Sequence, residues 1–200
     1  MLLSANIDFI TRCISEAYMK SLVAYFTQTN NTKMIAEAIF EALSAHDETS
    51  IESVRRVNLE SLDENDLLFV GGPCHDSDLA PPVKGLLEKL TDSPKFKLAG
   101  FFTHATYMPD GDRRNDELYT RWAGRCHLTF EDTCRRKNIE FLGYFHCQGK
   151  ASSEIEDFIR REIIIDDDEW SEYLPKLRKH PDSGDVKNAK KFVQQILNKL

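Results

Sequence analysis

The run Leu22-Val23-Ala24-Tyr25-Phe26 leads directly into Thr27-Gln28-Thr29-Asn30-Asn31-Thr32, and then into Ile35, Ala38, Ile39, Ala42 and Leu43. Five consecutive apolar residues read as a short strand buried on both faces. After the polar cluster, apolar residues recur every three or four positions, the period of one helix face. A loop feeding a helix N-terminus offers unpaired N–H groups and the positive end of a dipole, which suits a phosphate. This loop adds hydroxyls and amides, and no charge. It lacks G-x-x-x-x-G-K-[ST] and G-x-G-x-x-G, so it is neither a P-loop nor a dinucleotide fingerprint. An all-neutral cradle suits a monoester phosphate that stays bound. A helix cap rich in Thr and Asn accounts for the same residues, and from this stretch alone both readings stand.

Outward from it, strand and helix patterns alternate. Ile51 to Asn58 alternates apolar and polar residues, as a less buried strand does. Asp66 to Val70 is the strongest strand signal, stopped by Gly71, Gly72 and Pro73. Val83, Leu86, Leu87 and Leu90 mark a helix that Pro81 or Pro82 can start. Lys97 to Phe102 is the fourth strand and Ile139 to Phe145 the fifth. Between them one long helix is expected from Asn115 to Asn138, with Arg135, Arg136 and Lys137 in its last turn and Asn138 as a left-handed cap. The last helix begins near Asp185. About forty residues separate it from the fifth strand, against the usual ~2–6. This is an insertion at about 150–180, with a helix from Ser152 or Ser153 through Ile163 and another carrying Trp170, Tyr173, Leu174 and Leu177. Asp166 to Glu169 reads as a solvated helix start. The whole is α/β, a doubly wound five-stranded parallel sheet, in which ligands bind beyond the carboxyl ends of the strands.

Composition narrows the function classes. Apolar residues at 41% and charged residues at 30% exclude wholesale disorder. With 26 basic and 33 acidic side chains the formal net charge is −7. That argues against nucleic acid or an anionic membrane as partner and fits docking on basic protein surfaces. Five cysteines, Cys13, Cys74, Cys126, Cys134 and Cys147, form no CxxC pair, so reduced thiols in a cytoplasmic protein are expected. No apolar run approaches the ~18 residues that cross a bilayer. Asp8, Arg12 and Glu16 interrupt any signal-peptide core. Leu3, Ile7, Ile10, Ile14 and Ala17 instead predict a helical N-terminal extension over residues 1–18, ahead of a domain spanning 19–200.

The order of four segments resembles the flavodoxin family. T-x-T-x-N-T at Thr27–Thr32 is similar to the family's phosphate loop, with Asn30 where a Gly is usual. Asp66-Leu-Leu-Phe-Val-Gly-Gly-Pro73 resembles its third strand and first flavin loop, and Gly100-Phe-Phe-Thr-His104 its fourth strand and second flavin loop. Gly143-Tyr-Phe-His-Cys-Gln-Gly149 and His180-Pro-Asp182 are similar to a subgroup of short flavodoxin-like proteins. The resemblance covers about Met19 to Leu200. It implies a three-layer flavodoxin-like sandwich of strand order 2-1-3-4-5 holding one FMN. Thr27, Gln28, Thr29, Asn30, Asn31 and Thr32 would then hold the phosphate. The ring would lie between Pro73, Cys74, His75 and Asp76 on one side and Thr103, His104, Ala105, Thr106, Tyr107 and Met108 on the other. Tyr107 is the stacking candidate, or else a loop anchor, with His75 or Met108 on the opposite face.

The function so implied is electron transfer, as a monomer or homodimer, to redox partner proteins through an acidic surface. Two alternatives remain open. One is an FMN-dependent reductase passing hydride from a nicotinamide to a small quinone or metal ion, which needs room for a second ring beside the flavin. The other is a flavin-free interaction or metal-binding module, with His75, His104 and His146 at three strand ends as the metal ligands in the latter case. Arg113 and Arg114 either belong to a solvated helix start or rim the site. Cys147 is expected to be a small apolar packer.

Overall fold

In the computed structural model, which describes residues 19–46 and 48–200, five parallel strands lie in the order β2-β1-β3-β5-β6. They are β1 (Lys20–Tyr25), β2 (Glu48–Ser53), β3 (Leu67–His75), β5 (Lys97–His104) and β6 (Phe141–Gln148). A two-residue strand, β4 (Asp78–Leu79), folds back antiparallel on the end of β3. With that ribbon set aside, the order is the one expected. The helices are α1 (Asn31–Ser44), α2 (Pro81–Lys89), α3 (Arg113–Trp122), α4 (Arg125–Lys137), α5 (Ser153–Glu162), α6 (Asp167–Leu177) and α7 (Ser183–Leu197).

The pleat explains why the central strands are apolar at every position. Leu67 and Phe69 of β3 face one core with Val23, Ala99 and Phe101, closed by α1 and α7. Leu68 and Val70 face the other with Leu22, Leu98 and Phe102, closed by α2 and α4. Adjacent residues of a strand point to opposite sides, so a strand covered by helices on both faces has no polar positions. Cys147 packs in the first of these cores, as expected.

Several features differ from the sequence reading. β2 runs Glu48–Ser53 and not Ile51 to Asn58, because it pairs β1 from Lys20↔Glu48 to Tyr25↔Ser53. β3 runs through Gly71, Gly72 and Pro73 to His75, because β5 pairs it as far as Pro73↔Thr103 and β4 pairs the rest. The single helix expected from Asn115 to Asn138 is two, α3 and α4. Ala123 leaves the helical region at φ −144, and Gly124 lets the chain press on the Thr120 carbonyl, which an added Cβ would meet at 2.6 Å. Asn138 does take the left-handed cap, at φ 52. The acidic run is not simply solvated either. Asp166 caps α6 through the Glu169 amide at 2.8 Å, while the Glu169 side chain turns back toward the domain. The helix expected over residues 1–18 lies outside the described residues.

Gly71 sits against its β5 neighbour Phe101, whose ring carbons would lie 2.3 Å from an added Cβ. Phe101 is fully buried and has nowhere to retreat. Gly71→Ala is therefore expected to destabilise the fold by about 1–3 kcal/mol through overpacking, read as a lower urea midpoint at unchanged slope.

Candidate functional site

The carboxyl ends of β1, β3, β5 and β6 open on a cleft of about 350 Å³. Its first wall is the loop after β1. Asn30 there has φ 66 and ψ 0 and closes the first turn of α1 through its carbonyl, 3.1 Å from the Met34 amide, yet no side chain caps the helix start. Gln28, Thr29 and Asn31 line the cleft. The Asn31 amide donates to Thr29 Oγ1 at 3.0 Å and to the Lys150 carbonyl at 2.7 Å, tying this loop to the beginning of the insertion. Thr32 is buried beneath the loop, where its hydroxyl shares a 2.9 Å hydrogen bond with Thr103 on β5. Thr27, Asn30 and Thr32 are not among the lining residues.

The second wall is the β3–β4 hairpin, contributing Pro73, Cys74, His75 and Asp76. Residues 74–80 contain no glycine, but Asp76 and Ser77 take φ 48 and 69. Two successive positive φ values are what a tight two-residue hairpin demands, and Asp and Ser meet it here where Gly or Asn usually would. The third wall is the end of β5, with Thr103, His104 and Ala105. His104 Nε2 and His146 Nδ1 are 3.0 Å apart, in a stack that includes Phe102 and Tyr119. Burial, reinforced by the neighbouring imidazole, holds His104 down to about 3. Burial, with His127 beside it, holds His146 to about 4. One hydrogen bond joins these two rings, His104 Nδ1 is left buried without a hydrogen-bond partner among the described residues, and His75 lies in the hairpin wall. Among the described residues, the metal-capable grouping is instead His180, Asp182 and Asp185, whose ligand atoms lie within 4.8 Å of one another. Asp182 and Asp185 already form the capping box of α7.

The insertion roofs the cleft, and the sequence reading named none of the residues it contributes. Gly149, Lys150, Ala151, Ser152, Glu154 and Ile155 complete the lining. Behind them a second chamber of about 280 Å³ has Trp122, Phe158, Ile159 and Ile163 as its apolar walls. It shares Cys74, Asp76, His104, Ala105 and Ile155 with the cleft, and Thr106 lies on its side. The available signal was the excess length of the connection and the spacing of Ile155, Phe158 and Ile159. Two anchors hold the roof. Arg178 grips Glu156 with two hydrogen bonds of 2.9 and 2.6 Å, and the Tyr173 hydroxyl donates to the Ala105 carbonyl.

Tyr107 belongs to this anchorage and does not line the cleft. Its ring lies 4.7 Å from that of Tyr173, its hydroxyl donates to Glu169 at 2.5 Å, and Arg114 stands over its face. Burial, then Glu169, pushes its pKa up to about 12. Arg114 binds the same carboxylate at 2.6 and 3.0 Å, so it is neither merely solvated nor part of the rim. Met108 is 37% exposed and also outside the lining.

A family model described as a flavodoxin domain matches residues 22–194. The chain belongs to the flavodoxin domain family. No curated protein sequence matches it. Among solved structures, the flavodoxin domain is similar to a flavodoxin from the domain Archaea, at 16% identity and TM-score 0.57, covering 90% of this chain and 98% of that one. Oxidised flavodoxin 2 from Bacillus cereus aligns at 18% identity and TM-score 0.59, over 90% and 99% of the two chains. Rubredoxin oxygen:oxidoreductase from Desulfovibrio gigas aligns at 11% identity and TM-score 0.59, over 90% of this chain and 35% of that protein, so this chain spans about a third of its length. At such identities the likeness is one of fold. No helix of the described residues is long and apolar enough to cross a membrane.

The histidine pair makes the flavodoxin domain acid-sensitive. Unfolded, both rings protonate near 6.5; folded, they stay neutral down to about 4 and about 3. Below 6.5 the unfolded chain therefore binds more protons, and stability falls as pH drops. His104 alone is expected to remove about 2 kcal/mol between pH 6.5 and 5, measured by denaturant unfolding at each pH. Its ring-proton resonances and those of His146 should not move between pH 8 and 5.

Proposed function

We propose that the chain is an FMN-binding electron carrier, with the phosphate at the start of α1. The observation that carries this reading is a helix that begins without a side-chain cap and opens on a cleft bounded by three strand ends. Amides left unpaired at a helix start are complementary to a phosphate, so the residues fit the group. The first-turn amides of α1, the backbone N–H of Asn31 among them, would hold the phosphate with the Thr29 hydroxyl, whose position the Asn31 side chain fixes, and Lys150 lies in the roof of the same cleft. The β3–β4 hairpin and the end of β5 would flank the ring. Membership of the flavodoxin domain family and the likeness to solved flavodoxins support the cofactor class.

When bound, FMN supplies one- and two-electron chemistry. The protein binds and orients it. Ile155 and the roof helix α5 limit water at the cleft. A net charge of −7 favours encounter with redox partners through basic surfaces. One observation favours a second reading. The apolar chamber beside the cleft is the room that an FMN-dependent reductase of a small ring compound requires. Rapid bleaching of the yellow protein by NADPH under anaerobic conditions supports the reductase, and its absence supports the carrier.

Loss of one hydrogen bond to a charged phosphate costs ~1.5–3 kcal/mol, a ten- to hundredfold loss of affinity. Thr29→Ala is expected to weaken FMN by that factor in a fluorescence titration while leaving thermal stability unchanged. Wild-type affinity in Thr29→Ala and Asn31→Ala together would place the phosphate elsewhere.

A further inference from the structure

Two thiols stand on crossed segments, one lining the cleft and the other in the core behind it. Cys74, on the last turn-ward stretch of β3, lines both the cleft and the chamber behind it. Its thiol donates to the Trp122 carbonyl at 3.2 Å, at the end of α3. Cys126, in the first turn of α4, is fully buried, and its thiol approaches the Ser77 carbonyl at 3.9 Å, in the β3–β4 turn. The two contacts cross. Trp122 lies four residues before Cys126, and Ser77 three after Cys74, so each sulfur is directed at the segment that carries the other. Cys74 packs against the same core that contains Cys126. Burial, and then the neighbouring Cys74, pushes the Cys126 thiol far up. The half-buried Cys74 is the sulfur that meets the cleft, and Cys126 is held behind it.

We propose that Cys74 and Cys126 are a redox-active dithiol/disulfide pair that exchanges two electrons with the flavin of the cleft. This rests on the FMN reading above. Oxidation breaks both S–H bonds and forms one Sγ–Sγ bond. The two electrons and two protons released convert oxidised FMN to its fully reduced dihydro form, so atoms and electrons balance with no further reactant. In reverse, the disulfide would take two electrons and two protons from the reduced cofactor and open to the Cys74 and Cys126 thiols. The pair gives the protein a second two-electron store beside its cofactor. Cys134 and Cys147 are buried away from the cleft lining, and burial holds both thiols up, Cys134 to about 12. They are the internal controls.

The test treats FMN-loaded protein with diamide, alkylates it under denaturing conditions and maps the peptides by mass. A linked pair joining Cys74 and Cys126, two hydrogens lighter than the separate peptides, is expected, with Cys134 and Cys147 alkylated. In Cys74→Ser the link should vanish and Cys126 should be alkylated. In a second step the FMN of the disulfide form is photoreduced without oxygen and left in the dark. Recovery of the oxidised flavin spectrum, with about two new thiols per chain, supports the coupling. Absence of the Cys74–Cys126 link, or a link that stays closed while the flavin stays reduced, overturns the proposal. Failure to bind FMN is read separately in the absorbance spectrum. It overturns the cofactor reading and the coupling to flavin, while the disulfide itself is still scored by mass.

Discussion

The structure depends on one constraint: β3 must be covered on both faces at once. Leu67 and Phe69 need the helices of one layer, Leu68 and Val70 those of the other. A strand with polar residues at alternate positions would tolerate an open face, and this one does not. The chain must therefore cross from layer to layer, and that crossing makes the sheet parallel and doubly wound. At the carboxyl edge, where strands end and the connections to the helices leave in opposite directions, a gap is unavoidable. The cleft is that gap.

What distinguishes this chain is how the gap is finished. The loop after β1, the hairpin after β3 and the end of β5 are each pinned by a bond to a distant segment: Asn31 to the Lys150 carbonyl, Cys74 to the Trp122 carbonyl, Ala105 to the Tyr173 hydroxyl. The insertion contributes two of these three partners. It is thus part of the frame of the site and not an appendage on the domain. The small third core that it builds with Ala105 and Tyr107 is what lets two short helices hold a position over the strand ends.

The fold was legible in the sequence because its signals are local. A run apolar at every position and a helical period after a polar loop each declare themselves within a few residues. The lining of the cleft was legible where it rests on those loops, at Thr29, Asn31, Pro73 to Asp76 and Thr103 to Ala105. It was illegible where a side chain had two plausible neighbours. Tyr107 carries an apolar ring and a hydroxyl and could serve a ligand or an anchor; Tyr173 and Glu169, more than sixty residues away, decided it. Arg114 and the acidic run looked solvated because their partner lay in the other segment. Lys150 gave no signal, and the spacing of Ile155, Phe158 and Ile159 marked an apolar helix face without saying which surface it would cover. The helix break at Gly124 was hidden by good helix formers on either side.

The roof has a kinetic meaning. A molecule seated under α5 would lie beneath a cover held by the Glu156–Arg178 pair and the Tyr173–Ala105 bond. The residues that fix the cover are not the ones that form the walls. How fast such a molecule exchanges and how tightly it is held would then answer to different residues. Selection can lengthen the dwell of a bound molecule without altering a single atom that touches it.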